Sequence, residues 1–130
     1  MDRRTSLSLL AVGLAAASTG ATAAVPAKDG VKLMVLYGQP PNPDAFEKYY
    51  LETHMPLVAT IKGARKMEAA KGLPQADGSP PAFYRVFEMW FDSAEKMSEA
   101  LGSPEGQKVR ADLANFTEGT TVTRVVCKLD

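Results

Sequence analysis

From Val31 onward the chain alternates between short β-rich apolar runs and stretches with apolar residues at every third or fourth position. Val31-Lys-Leu-Met-Val-Leu-Tyr37 reads as a strand. The run from Gly38 to Pro43 breaks it, and Asn42 is placed to cap a helix with Pro43 in its first turn. Phe46, Tyr49, Tyr50, Thr53, His54 and Leu57 follow at helical spacing. Pro56 disfavours helical geometry at Met55, so this helix is expected to end or kink near His54. Gly63 to Ala70 is a weaker, polar strand that suits a sheet edge, and Gly72 to Pro81 is a loop. Ala82 to Phe91 is the strongest strand in the chain. Asp92 or Ser93 caps a second helix, Pro104 opens a further helical stretch reaching Asn115, and Thr120 to Leu129 is the last strand.

The order is strand, helix, strand, strand, helix, strand. The natural solution is α+β: a ferredoxin-like βαββαβ fold, with both helices on one face of a four-stranded antiparallel sheet. That solution leaves a difficulty. The strand at 82–91 is apolar on both faces, with Phe83, Phe87, Met89 and Phe91 on one, and Tyr84, Val86 and Trp90 on the other, interrupted by Glu88. The first strand is also apolar on both faces. Two helices cover one side, and soluble monomers avoid a large exposed apolar patch on the other. A second copy of the chain is the expected cover: a homodimer with sheets face to face, forming a dimeric α/β barrel. The space between the sheets then becomes the expected pocket for an apolar small molecule.

The segment before Val31 has a different character. Arg3 and Arg4 begin it, Leu7 to Ala17 is a short apolar run, and Ala21-Thr22-Ala23 has the small-x-small pattern of a cleavage site. Residues 1–24 read as an export signal, 25–30 as a linker and 31–130 as one domain, expected in the periplasm or outside the cell. The apolar run is shorter than the ~20 residues needed to span a bilayer, so no membrane span is expected after the signal is removed. The adjacent arginines fit the twin-arginine route in part, with Ser6 where an aromatic or large apolar residue is usual. An ordinary secretory signal accounts for the same residues. The whole chain has 15 basic and 15 acidic residues. Loss of Asp2, Arg3 and Arg4 with the signal leaves the mature form near −1. Such a balance gives no reason to expect nucleic acid as a partner. Cys127 is the one cysteine, which excludes an intramolecular disulfide, and its apolar strand makes it a small buried residue.

Dinucleotide, phosphate-loop, zinc-protease and paired-cysteine motifs are all missing, so no cofactor and no metal are expected. His54 is the only histidine. An imidazole titrates near neutral pH and moves protons without a metal. Tyr50 lies one turn earlier on the same helix face, and Tyr37 ends the first strand near the same rim. His54, Tyr50 and Tyr37 are therefore the candidate catalytic residues, with a tyrosine stabilising a developing oxyanion. Phe46, Glu88, Trp90, Asp112 and Phe116 are the candidate substrate-binding residues. Bland roles compete: His54 as a partner for helix-end carbonyls, Tyr49 and Tyr50 as core, Glu88 paired to Arg124 across the sheet, and Asp112 as a helix-end acceptor.

The chain from about Val31 to Leu129 resembles the EthD family of dimeric α/β-barrel proteins. The matching stretches are LMVLYG, FEKYYLETHMPLV with its His-x-Pro-Leu, FEMWFDSAEKMSEAL and SPEGQKVRADLANF. The export signal departs from the family, whose members commonly look cytoplasmic. The family is often labelled as a reductase and takes its name from a protein required in ether degradation. The resemblance implies an exported, cofactor-independent enzyme, an oxidoreductase or proton-transfer catalyst acting on an apolar oxygenated compound in a catabolic pathway. A non-catalytic homodimer that holds such a ligand, or a haem through His54, is the alternative. A third role is an accessory protein whose dimer only meets a partner.

The leader is testable in the producing cell. N-terminal sequencing is expected to find a mature chain beginning after Ala23 or Ala24. An intact Met1 on soluble cytoplasmic protein would refute export, and Arg3→Lys with Arg4→Lys should block it only on the twin-arginine route.

Overall fold

A computed structural model describes residues 30–130. The expected export signal over 1–24, and the linker as far as residue 29, lie outside the described residues. Strand β1 (Val31–Tyr37) leads into helix α1 (Pro43–Tyr49), a π-helical turn over Tyr50–His54 and the short helix α2 (Met55–Val58). Strands β2 (Lys66–Lys71) and β3 (Arg85–Phe91) follow. Helices α3 (Ala94–Gly102) and α4 (Pro104–Asp112), a 3₁₀ turn over Leu113–Asn115 and strand β4 (Val122–Lys128) complete the chain. The sheet order is β2-β3-β1-β4, with antiparallel pairing throughout. This is the expected ferredoxin-like βαββαβ arrangement.

Local chemistry accounts for the elements. The Asn42 side chain accepts from Ala45 N at 3.1 Å and Pro43 needs no donor partner at the helix start. Ser93 and Ser103 cap α3 and α4 in the same way, through Lys96 N and Gly106 N. The two apolar central strands supply the core from one face: Leu33, Val35, Phe87, Met89 and Phe91 pack against Phe46, Tyr50, Val58 and Ile61 from the first helical segment. Polar β2 is an edge strand, as its composition suggests.

Three expectations need correction: the start of β3, the Glu88–Arg124 pair and the burial of Cys127. The helix, expected to end or kink near His54, is disturbed there but does not end. Pro56 lacks an N–H and its ring crowds the carbonyl four residues back. The preceding turn widens instead, with Met55 N–H bonding to Tyr50 O, and the helix continues to Val58. Strand β3 begins at Arg85 rather than at Ala82; Tyr84 just before it still bonds to both neighbouring strands' ends, its N–H to Tyr37 O and its carbonyl to Gly72 N, and the regular ladder starts after it. The expected Glu88–Arg124 pair does not form. Glu88 lies on the uncovered face of the sheet, 3.0 Å from Lys32 Nζ, while Arg124 lies in the row opposite Val35 on the helix side. Trp90 shares the uncovered face with Glu88, beneath the ammonium groups of Lys32 and Lys66. Cys127, across from Lys32, is half-buried on that face rather than buried.

Arg85 is the charge that the alternation of β3 carries into the core face. It is buried, and its Nε and Nη2 donate to Glu47 Oε2 and Oε1 at 2.8 and 2.7 Å. This bond pair holds the carboxyl of Glu47 below its usual value and ties α1 to the sheet. Glu47→Leu should cost about 3 kcal/mol, because it strands a buried guanidinium. Adding Arg85→Met should recover most of that loss, as apolar groups then replace both charges. Urea titrations of the two variants check this, and a double variant as unstable as Glu47→Leu would refute it. In the parent chain the Glu47 contribution is present above the ordinary carboxylate value and fades as pH falls through the depressed folded one.

Candidate active site

The widened turn and the end of α4 meet beside β1. Tyr50 and His54 fall on the buried side of the turn, and Tyr37 closes β1 behind them. Tyr37 meets Tyr50 edge-on, with ring centroids 5.6 Å apart, and Tyr50 stacks loosely on His54 at 5.9 Å. From the other side, Asp112 at the end of α4 reaches His54 Nδ1 with Oδ2 at 2.9 Å. The second carboxylate oxygen, Oδ1, accepts from Tyr49 Oη at 2.6 Å and from Asn115 Nδ2 at 2.9 Å. Phe116 packs on the imidazole at 4.6 Å between centroids.

This allocation of bonds sets the protons. A carboxylate facing Nδ1 makes that nitrogen the N–H and leaves Nε2 as the basic one. His54 is only 3% exposed. Burial pushes its pKa below the ordinary 6.5, against the pull of Asp112, so the ring is neutral at pH 7. Burial also pushes the Asp112 carboxyl up, but the bonds from Tyr49, Asn115 and His54 together hold it below the usual carboxylate value. The Tyr50 phenol is pushed up to about 12 by burial, with the Arg85 cation opposing. Tyr37 is raised further, again by burial. Tyr50 therefore stays a donor at any ordinary pH, yet among the described residues its buried hydroxyl has no hydrogen-bond partner.

His54, Tyr50 and Tyr37 line one cavity of about 80 Å³, whose other walls are mostly apolar side chains such as Val35, Val58, Phe87 and Met89, with Arg110 and Arg124 also on its lining. For comparison, a cavity of about 150 Å³ accommodates benzene. A ligand of a few heavy atoms fits as the structure stands, whereas a haem would need the helices to part. The cavity lies between the helices and the sheet within one chain, on the opposite side of the sheet from the space expected between two copies. Periodicity shows two apolar faces but not which one the helices cover. Glu88 and Trp90 are consequently on the wrong side of the sheet to meet His54. Phe46 and Phe116 back the tyrosines and line an outer groove rather than the cavity. Asp112 orients the histidine instead of facing the cavity. Tyr49, Arg85 and Arg110 were not singled out as site residues from sequence. The signal for Arg85 was there: a charge in an otherwise apolar row requires a buried partner. Among the described residues no group of three or more His, Cys, Asp or Glu could hold a metal, and no helix is long and apolar enough to cross a membrane.

The chain is similar to known proteins. The family model described as EthD domain matches residues 39–120. An uncharacterised 11.0 kDa protein from the thcB–thcC intergenic region of Rhodococcus erythropolis is 36% identical over 88 residues, covering 68% of this chain and 84% of that protein. The crystal structure of an EthD-family protein from Bacillus halodurans superposes with a TM-score of 0.71 at 31% identity, covering 78% of this chain and 99% of that one. More distant structures show the fold alone. They include SnoaB, a cofactor-independent oxygenase from Streptomyces nogalater (TM-score 0.54, 16% identity, 78% and 93% coverage). A dimeric ferredoxin-like protein of unknown function from Thermobifida fusca is another (TM-score 0.59, 17% identity, 77% and 91% coverage).

Proposed function

The chain belongs to the EthD family, and from that premise we propose that it is a cofactor-independent proton-transfer enzyme acting on a small, apolar, oxygen-bearing compound. The observation that carries this reading is a neutral histidine whose Nδ1 is held by Asp112 and whose other nitrogen is left to an apolar cavity. Nε2 takes a proton from a carbon next to a carbonyl, or from a phenol. The electron pair left behind moves onto the substrate oxygen, which accepts a hydrogen bond from the unpartnered Tyr50 hydroxyl. The imidazolium, stabilised by Asp112, returns the proton at a second position. Carbanion formation of this kind precedes isomerisation and, with dioxygen as the co-reactant, oxygenation. The cofactor-independent oxygenase that shares the fold is consistent with the second course. A periplasmic or secreted setting rests on the leader alone.

We also propose a homodimer. Met34, Leu36, Val86 and Trp90 lie on the face of the sheet that the helices leave bare, and the apolar area there is best buried against its own copy. A dimeric neighbour with this fold supports it.

Deuterium incorporation next to the carbonyl of 2-butanone in D₂O tests the chemistry. The protein should accelerate it, His54→Gln should slow it about 10²–10⁴-fold, and Tyr50→Phe about 10²–10³-fold, with little change in melting temperature. The rate should be level above pH 6.5 and fall as pH drops through the depressed value of His54, because protonated imidazole is no base. Full exchange by His54→Gln would sink the proton-transfer role and leave a binding role in its place. Sedimentation at micromolar concentration should show a dimer, which Leu36→Asp, placing a charge across from Val86 and Thr123 with no cation opposite, disrupts by burying an unpaired charge. A stable monomer would overturn that assignment.

A further inference from the structure

We propose that the rim of the His54 cavity binds a carboxylate through Arg110 and Arg124, so that the substrate is a small oxo acid rather than a neutral ketone. This names the substrate class for the proton-transfer reading above and rests on it.

The two arginines come from different elements and meet at one opening. Arg110 lies in the last turn of α4, and Arg124 in the row of β4 that faces the helices, across from Val35. Both line the cavity that holds His54 and Tyr50. Both also line the outer groove with Leu101 and Gln107, so they stand where the cavity passes to solvent. The opening is not closed by the helices: Val126, in the same row as Arg124, is 53% exposed.

Charge matching elsewhere makes these two stand out. Arg85 is answered by Glu47, Lys32 by Glu88 and Arg65 by Asp92. Neither Arg110 nor Arg124 makes an ion pair among the described residues. The one carboxylate near the imidazole, Asp112, is fully engaged behind it by His54, Tyr49 and Asn115. Positive charge at the mouth is thus unanswered by any ion pair among the described residues. A guanidinium fork matches the planar carboxylate, whose two oxygens accept two parallel bonds from one arginine. The geometry divides the ligand in two. Its anionic end stays at the rim, where little hydration is lost, and its short apolar chain carries the carbonyl inward to Nε2 and the Tyr50 hydroxyl.

The probes are 4-oxopentanoate and its neutral counterpart 2-pentanone. His54, as the only histidine, gives a single imidazole signal in the NMR spectrum by which binding of either is followed without any need for turnover. The acid should bind about ten- to a hundredfold more tightly than the ketone. In the Arg110→Gln, Arg124→Gln double variant the acid should bind no more tightly than the ketone does to that same variant. Each single variant should lose part of the preference, and melting curves confirm that the variants are folded. Equal affinities in the parent protein, no binding of 4-oxopentanoate, or a preference that survives in the double variant would each overturn the proposal. Deuterium exchange separates it from the reading beneath it. Arginine-dependent binding without exchange keeps the rim site and removes the proton transfer. Exchange of both probes with no dependence on the arginines does the reverse.

Discussion

A single buried cation sets the position of everything around it. Arg85 occupies the row of β3 that faces the helices, where its neighbours two residues away are Phe87 and, along the row, Met89 and Phe91. A guanidinium there is tolerable only with a carboxylate in direct contact. Glu47 supplies it from the middle of α1, with two bonds of fixed direction. That requirement fixes both the height of α1 along the sheet and its rotation. Tyr50, three residues on, then has to lie under the guanidinium, whose Cζ is 4.6 Å from the ring centroid. The tyrosine that faces the cavity is placed by a charge pair outside it.

From Tyr50 to His54 the chain runs through the widened turn. A regular α-helix would carry position 54 onward by four residues with every N–H bonded four back. The presence of Pro56 makes that continuation costly just beyond His54, and the wider turn absorbs the mismatch without stopping the helix. Both aromatic rings end on the buried side, at 0% and 3% exposure, and stay in contact. The proline was legible as a disturbance. Its form was not, because termination and a wider turn are alternatives that tertiary packing decides. Here the packing of Val58 and Ile61 into the core favours continuation.

The same distinction runs through the rest of the sequence reading. Element order, sheet topology and the caps at Asn42 and Ser93 follow from local rules, and local rules are visible along the chain. The grouping of His54, Tyr50 and Tyr37 was also accessible, since helical spacing and topology bring them to one end of the sheet. Glu88 and Trp90 were not assignable in the same way. In β1 and β3 both faces are apolar, so a period of two separates the rows without saying which lies under the helices. The relation of His54 to Asp112 is equally invisible along the chain. The two residues are 58 positions apart, and only the closure of α4 over the first helix joins them.

The polar groups of the site are divided so that each keeps the protonation state that base catalysis needs. A carboxylate beside an imidazole ordinarily raises the basicity of the ring and, given a proton, becomes half of an ion pair. Here Asp112 already accepts from Tyr49 and Asn115, so its charge is stabilised without a protonated histidine. Burial then decides in favour of the neutral ring. Tyr50 is held in the opposite sense, as a donor that cannot ionise near neutral pH. A base and a donor thus face one small apolar cavity with neither neutralising the other, and the same low dielectric that keeps His54 uncharged strengthens any bond Tyr50 makes to a developing oxyanion. That combination comes from the helix–sheet layer of a single chain. Trp90 and the rest of the bare face lie on the opposite side of the sheet from this cavity.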